Sequence, residues 1–267
     1  MGWGEGRRFC LHHRAAGGRP RARVLYLHPL AEEMNRSRRM AALQARALAG
    51  AGFEVLQIDL HGCGDSAGDF ADASWQGWTA DALQACEWLR AQPGAAPLWL
   101  WGLRAGALLA VEAAHALPVS CNLLLWQPPA SGAAVLQQFL RLRLAEGLAQ
   151  GQAGALMKTL RAQLDAGQAV EAAGYTVSPA LAHGLQAATL VPVLPRAGRL
   201  AWLELGGSEP AAPSPAAQPL IDAWSRGGWQ VHAQRVPGPP FWATAETETA
   251  PALLQATLQA LHDEVMA

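Results

Sequence analysis

The chain has 267 residues, of which 51% are apolar and 15% charged, with a formal net charge of −1. This length suits one α/β domain with an insertion. The apolar share provides a sizeable core and excludes an overall disordered chain. Nothing in the charge balance points to nucleic acid, and the local cluster Arg36, Arg38 and Arg39 reads as a solvated helix face. The cysteines Cys10, Cys63, Cys86 and Cys121 are widely spaced, with no C-x-x-C or Cys/His cluster. They are expected to be reduced thiols of a cytoplasmic protein, with no metal or other cofactor. Met1 to Arg23 is rich in Gly and Arg and lacks an apolar stretch, so no secretory signal is expected. The apolar window Pro97 to Leu117 has the length of a membrane span, but Arg104, Glu112 and two glycines interrupt it. It reads instead as a strand followed by a helix.

In chain order, Arg8–His13 is expected as an early edge strand and Arg23–His28 as a buried parallel strand stopped by Pro29. Ser37 is the expected cap of a helix that reaches Ala51 and ends at Gly52. Phe53–Asp59 is the next strand, followed by the Gly/Asp/Ser loop Leu60–Gly68. A helix is expected from Thr79, with Ala82, Leu83, Cys86 and Leu89 at helical spacing. Trp99-Leu100-Trp101 then runs into Gly102-Leu103-Arg104-Ala105-Gly106, and a small-residue helix continues to about His115. Cys121–Trp126 is a further strand. Residues 131–195 change character to an Ala/Leu/Gln/Arg-rich helical pattern without a clear strand, and read as a helical cap inserted into a core of residues 1–130 and 196–267. Strands at Leu200–Leu205 and Gln230–Val236 follow, with a helix over Leu220–Arg226 between them. The rigid loop Pro237–Trp242 comes next, then a terminal helix from about Glu248 to Val265.

This alternation predicts an α/β fold with a mostly parallel central sheet and flanking helices. Ligands of such sheets bind beyond the carboxyl ends of the strands. Those ends are His28, Asp59, Gly102–Gly106, Gln127, Gly206–Glu209 and Gly238–Trp242, and they are expected to converge on one pocket under the cap.

Three motifs in order resemble an α/β-hydrolase. His28-Pro29-Leu30 resembles the loop whose backbone N–H helps bind an oxyanion. Asp59-x-x-Gly62-x-Gly64-Asp65-Ser66 resembles that fold's D-x-x-G-x-G-x-S loop. Gly102–Gly106 occupies the nucleophile elbow, a sharp strand-to-helix turn that normally reads G-x-S-x-G. Within the superfamily, His28–Met40, Trp99–Leu109 and Gly238–Trp242 resemble the exosortase A system-associated hydrolase 2 family. That resemblance implies a bacterial setting in exopolysaccharide production and PEP-CTERM protein sorting, with a protein partner in that machinery.

The residues depart from a serine hydrolase at two of three catalytic positions. Arg104 stands where the serine belongs, and a guanidinium stays protonated and cannot attack a carbonyl. The loop Gly238–Phe241 holds no histidine; the nearest, His232, lies inside the preceding strand. Glu209 fills the acid position. A non-standard set of His28, Glu33 and Cys63 remains as an alternative for ester or thioester hydrolysis. The favoured reading is that His28 fixes its loop by hydrogen bonding and that Cys63 packs there as a small residue. Arg104 has two readings. It closes the site by pairing with Glu32, Glu33 or Glu209, or it clamps a carboxylate or phosphate bidentately at a helix N-terminus; the expected ligand is anionic, acyl or glycan. Leu30 and the Ala105 N–H are the expected oxyanion contacts. Trp101, Trp126 and Trp242 are candidates for an apolar or sugar-stacking wall, against core packing for the first two.

Overall fold

The computed structural model describes residues 6–143 and 153–262. The strands are β1 (Cys10–His13), β2 (Arg23–Leu27), β3 (Glu54–Ile58), β4 (Leu98–Leu103), β5 (Asn122–Trp126), β6 (Val170–Ala172), β7 (Tyr175–Val177), β8 (Arg199–Leu205) and β9 (Gln230–Val236). The helices are α1 (Glu32–Gly50), α2 (Trp75–Arg90), α3 (Ala105–Ala116), α4 (Gly132–Leu142), α5 (Ala153–Asp165), α6 (Pro179–Ala187), α7 (Gln218–Arg226) and α8 (Pro251–His262), with a 3-10 turn at Phe70–Asp72. Seven strands form one sheet in the order β1-β3-β2-β4-β5-β8-β9. Only β1 is antiparallel to its neighbour.

Strand β4 is central and buried along its whole length. Its side chains alternate between the two faces of the sheet, as strand geometry requires. Trp99, Trp101 and Leu103 join the core under α1 and α8, together with Met40, Leu48 and Leu253. Leu98 and Leu100 join the core under α2 and α3, with Ala82, Leu108 and Trp224. The expected α/β-hydrolase architecture is therefore present.

Several boundaries differ from the sequence expectation, each for a local reason. Helix α1 starts at Glu32, well before Ser37. Ala31 adopts φ 50°, ψ −126°, so a sharp turn launches the helix, and Glu32 and Glu33 sit in its positively polarised first turn. Ser37 lies inside α1, where its Oγ donates to the Glu33 carbonyl at 2.6 Å. Helix α2 starts at Trp75 because Ser74 caps it, accepting from Gly77 N–H at 3.0 Å. Thr79 Oγ1 instead donates back to the Trp75 carbonyl. The segment 131–195 is not helical throughout: β6 and β7 form an antiparallel hairpin between α5 and α6. Residues 144–152, expected to be helical, and 263–265, the expected end of the last helix, lie outside the described residues.

The elbow depends on two close approaches. A Cβ on Gly102 would fall against the Gly106 carbonyl, and one on Gly106 against the Leu27 and His28 carbonyls. Gly106→Ala should therefore cost about 1–3 kcal/mol by overpacking. Gly154→Ala on α5, where nothing lies within 4 Å, should be neutral or stabilising. Denaturant unfolding of both variants checks the contrast.

Candidate functional site

The turn after β4 holds Arg104 at φ 55°, ψ −121°. A non-glycine residue is rarely found there, and the surrounding bonds fix it. Arg104 N–H donates to the Trp126 carbonyl at 3.0 Å, and its own carbonyl accepts from Ala107 N–H at 2.9 Å. Ala31, after β2, has nearly the same backbone conformation. Two parallel turns thus present Arg104 and the first turn of α1 towards each other.

The Arg104 side chain is 12% exposed and that of Glu33 is 24% exposed. Glu33 Oε1 accepts from Arg104 Nε at 3.3 Å and from Nη2 at 3.2 Å. Nη2 also donates to Gln138 Oε1 on α4 at 2.9 Å. The guanidinium carbon stands 5.7 Å from the centre of the Trp242 ring, within range of a cation–π contact. Glu33 Oε2 is buried with no hydrogen-bond partner among the described residues. Burial raises the Glu33 pKa above its ordinary value, against the opposing pull of Arg104.

These groups wall a cavity of about 380 Å³. Its polar lining is Glu32, Glu33, Arg36, Arg104 and Gln138, and its apolar lining includes Leu30, Val135, Phe139, Leu142 and Trp242. At the rim, Glu32 accepts from the Tyr175 hydroxyl and from Asn35, both at 3.1 Å. Arg36 donates to the Ala243 carbonyl at 2.9 Å and lies 3.7 Å from Glu32. Among the described residues no Ser, Thr, Cys or His lines the cavity.

Of the expected site residues, Arg104, Glu32, Glu33, Leu30 and Trp242 meet here. Ala105 opens α3, so its N–H lacks an intrahelical partner, but it is buried and does not line the cavity. His28 is committed to its loop. Nδ1 donates to the Pro29 carbonyl at 2.8 Å, Nε2 accepts from Leu60 N–H at 3.2 Å, and burial lowers its pKa. Cys63 is buried in the core, with its thiol pushed up to about 12 by burial. Glu209 is exposed beyond β8 and away from the cavity. The six strand ends therefore do not all converge: those after β2, β4 and β9 reach the cavity, while Asp59, Gln127 and Glu209 do not. Asp59 instead binds Arg38 at 3.1 Å and accepts from Asp65 N–H at 3.0 Å.

Trp101 and Trp126 pack in the core, with ring centres 4.7 Å apart. Phe241 is fully buried against Trp126, so an apolar wedge fills the start of the loop after β9. His232 lies within β9. Sequence reasoning missed Val135, Gln138, Phe139 and Leu142. Their spacing places them on one face of a single helix, and that periodicity was the available signal.

The sheet order, the elbow and the loop after β2 together define an α/β-hydrolase fold. The family described as Hydrolase_4, serine aminopeptidase S33, matches residues 18–183, more than half of the chain, and the protein belongs to that family. Protein ABHD12B of Homo sapiens is 37% identical over 94 residues, covering 35% of this chain and 25% of that protein. The lysophosphatidylserine lipase ABHD12 of Xenopus tropicalis is 32% identical over 89 residues, 33% of this chain and 22% of that one. The chain thus matches only about a quarter of the length of these curated relatives. Among solved structures, Est1E from Butyrivibrio proteoclasticus with bound ferulic acid has a TM-score of 0.69 at 14% identity, over 97% of this chain and 96% of that one. A monoglyceride lipase from Saccharomyces cerevisiae has a TM-score of 0.62 at 13% identity, over 100% and 93%. At such identity the likeness is one of fold. No helix among the described residues is long and apolar enough to cross a membrane, and no group of three or more His, Cys, Asp or Glu among them could hold a metal.

Glu33 gives the site a pH signature. Its raised pKa means that, just above the ordinary glutamate range, the folded chain binds more protons than the unfolded one. Stability from this group is then lost as pH rises through that window. Denaturant unfolding across the window should show the wild type losing stability relative to Glu33→Gln as pH increases. A difference independent of pH would contradict the assignment.

Proposed function

We propose that this protein binds a small ligand in the Arg104 cavity and does not carry out serine hydrolysis. The observation that carries this reading is the elbow side chain itself. Where a nucleophile would stand there is a guanidinium bonded to Glu33 and Gln138, and no described histidine or hydroxyl side chain lines the cavity with it. Nucleophilic catalysis needs a nucleophile and a base within hydrogen-bond reach. The non-standard alternative is not favoured, because both His28 nitrogens are engaged and the Cys63 thiol is held protonated by burial.

The proposed setting is the bacterial exopolysaccharide and PEP-CTERM system, in the cytoplasm, with residues 131–195 serving as the cap. The resemblance to the exosortase A system-associated hydrolase 2 family supports this setting. The three stretches that carry the resemblance, His28–Met40, Trp99–Leu109 and Gly238–Trp242, contribute Leu30, Glu32, Glu33, Arg36, Arg104 and Trp242 to the cavity. They resemble that family where the site is built, not only where the core is packed. A protein partner in that machinery belongs to the same proposal.

Purified protein should show no labelling by a fluorophosphonate probe and no turnover of short p-nitrophenyl esters. Turnover that persists through purification and disappears in Glu33→Ala, His28→Ala or Cys63→Ala would overturn this reading in favour of an active hydrolase.

A further inference from the structure

The way Arg104 is held narrows the class of ligand. A guanidinium recognises a carboxylate or phosphate best through two parallel N–H···O bonds, from Nε with one Nη or from both Nη nitrogens. Each of those edges on Arg104 is already broken. Nε and one proton of Nη2 serve Glu33, and the other proton of Nη2 serves Gln138. The guanidinium carbon lies over the Trp242 ring, 5.7 Å from its centre. Only Nη1 is left without a partner among the described residues, and it is not closed to solvent. It offers contact to a single acceptor atom.

The charge around the cavity is balanced as well. Arg104 stands against Glu33, and Arg36 against Glu32, so the wall carries no net formal charge when both carboxylates are ionised. An anion entering would be desolvated among apolar side chains without a counter-charge of its own, which is costly. A hydroxyl or carbonyl oxygen needs only the one donor that Nη1 supplies. The walls beyond it, Val135, Phe139 and Leu142, are apolar and suit an alkyl chain. The volume lies at the small end of the range usual for ligand pockets.

We infer that the cavity selects an uncharged, single-chain amphiphile, whose head oxygen accepts from Arg104 Nη1 and whose chain runs along α4, and that it discriminates against the corresponding anion. This inference rests on the ligand-binding reading above and replaces a bidentate anion clamp with a single neutral contact.

The test is calorimetric binding of decan-1-ol, decanoate and decylammonium to the full chain, below their aggregation concentrations and in one mildly alkaline buffer throughout. Decan-1-ol should bind at least about tenfold more tightly than either ion. Glu33→Gln, which removes the counter-charge of Arg104, should shift the ratio at least about tenfold towards decanoate. Val135→Phe, which fills the cavity without adding charge, should weaken decan-1-ol. Decanoate binding as well as or better than decan-1-ol in the wild type overturns the inference while leaving a ligand-binding protein. Failure of all three probes to bind, or decan-1-ol binding unaffected by Val135→Phe, overturns it too. Because none of the probes contains an ester, these outcomes are separate from ester turnover, which bears on the proposed function alone.

Discussion

The approach of α3 to the sheet at the elbow is the constraint on which the rest depends. Gly102 and Gly106 let the backbone of the helix start lie against β2 and its following loop, where a Cβ would collide with main-chain carbonyls. That contact fixes Arg104 at φ 55°, ψ −121°, so its side chain rises above the carboxyl end of the sheet. A similar turn at Ala31 brings Glu33 to meet it. The architecture that elsewhere presents a nucleophile here presents one half of an ion pair, and the same backbone serves both purposes.

The pair and its contacts tie four parts of the chain together. Glu33 belongs to α1, Arg104 to the elbow, Gln138 to α4 and Trp242 to the loop after β9. A second link runs from Tyr175 of the β6–β7 hairpin to Glu32. Helix α4 and the β6–β7 hairpin are thus held near the sheet by polar contacts around the cavity as well as by apolar packing. Glu33 remains the strained member. One of its oxygens is buried without a hydrogen-bond partner among the described residues, and desolvation pushes the carboxyl towards its neutral form. An under-satisfied buried carboxylate beside a cavity is costly to keep, which is consistent with a place in the site more than in the scaffold.

Much of the fold was legible in the sequence because its signals are local. Short apolar runs between Gly/Pro turns give the strands, and the elbow, the loop after β2 and the Asp59 loop fall in the order the fold requires. The site was legible only in part. Arg104, Glu32, Glu33 and Trp242 were expected there, but the choice of Glu33 over Glu32 or Glu209 depends on where α1 begins. That is set by the backbone of Ala31, a residue whose type gives no hint of positive φ. Arg36 read as a solvated cation, yet it lines the cavity because α1 starts before it. Gln138 was legible only as a position on one face of a helix; that this face meets the Arg104 cavity comes from a long-range contact that helical periodicity does not encode. The hairpin at Val170–Val177 was hidden by its short strands in an Ala-rich region.

On the proposed reading the elbow belongs to a rebuilt site and is not a triad with one member replaced. The most direct measurement is ester turnover and fluorophosphonate labelling of Arg104→Ser, which restores the G-x-S-x-G pattern on a backbone already shaped for it. This variant should stay unlabelled and silent, because Phe241 and Trp242 occupy the loop where a histidine would have to stand. Labelling or turnover gained by that single substitution would show a working base within reach of the elbow and would contradict the account.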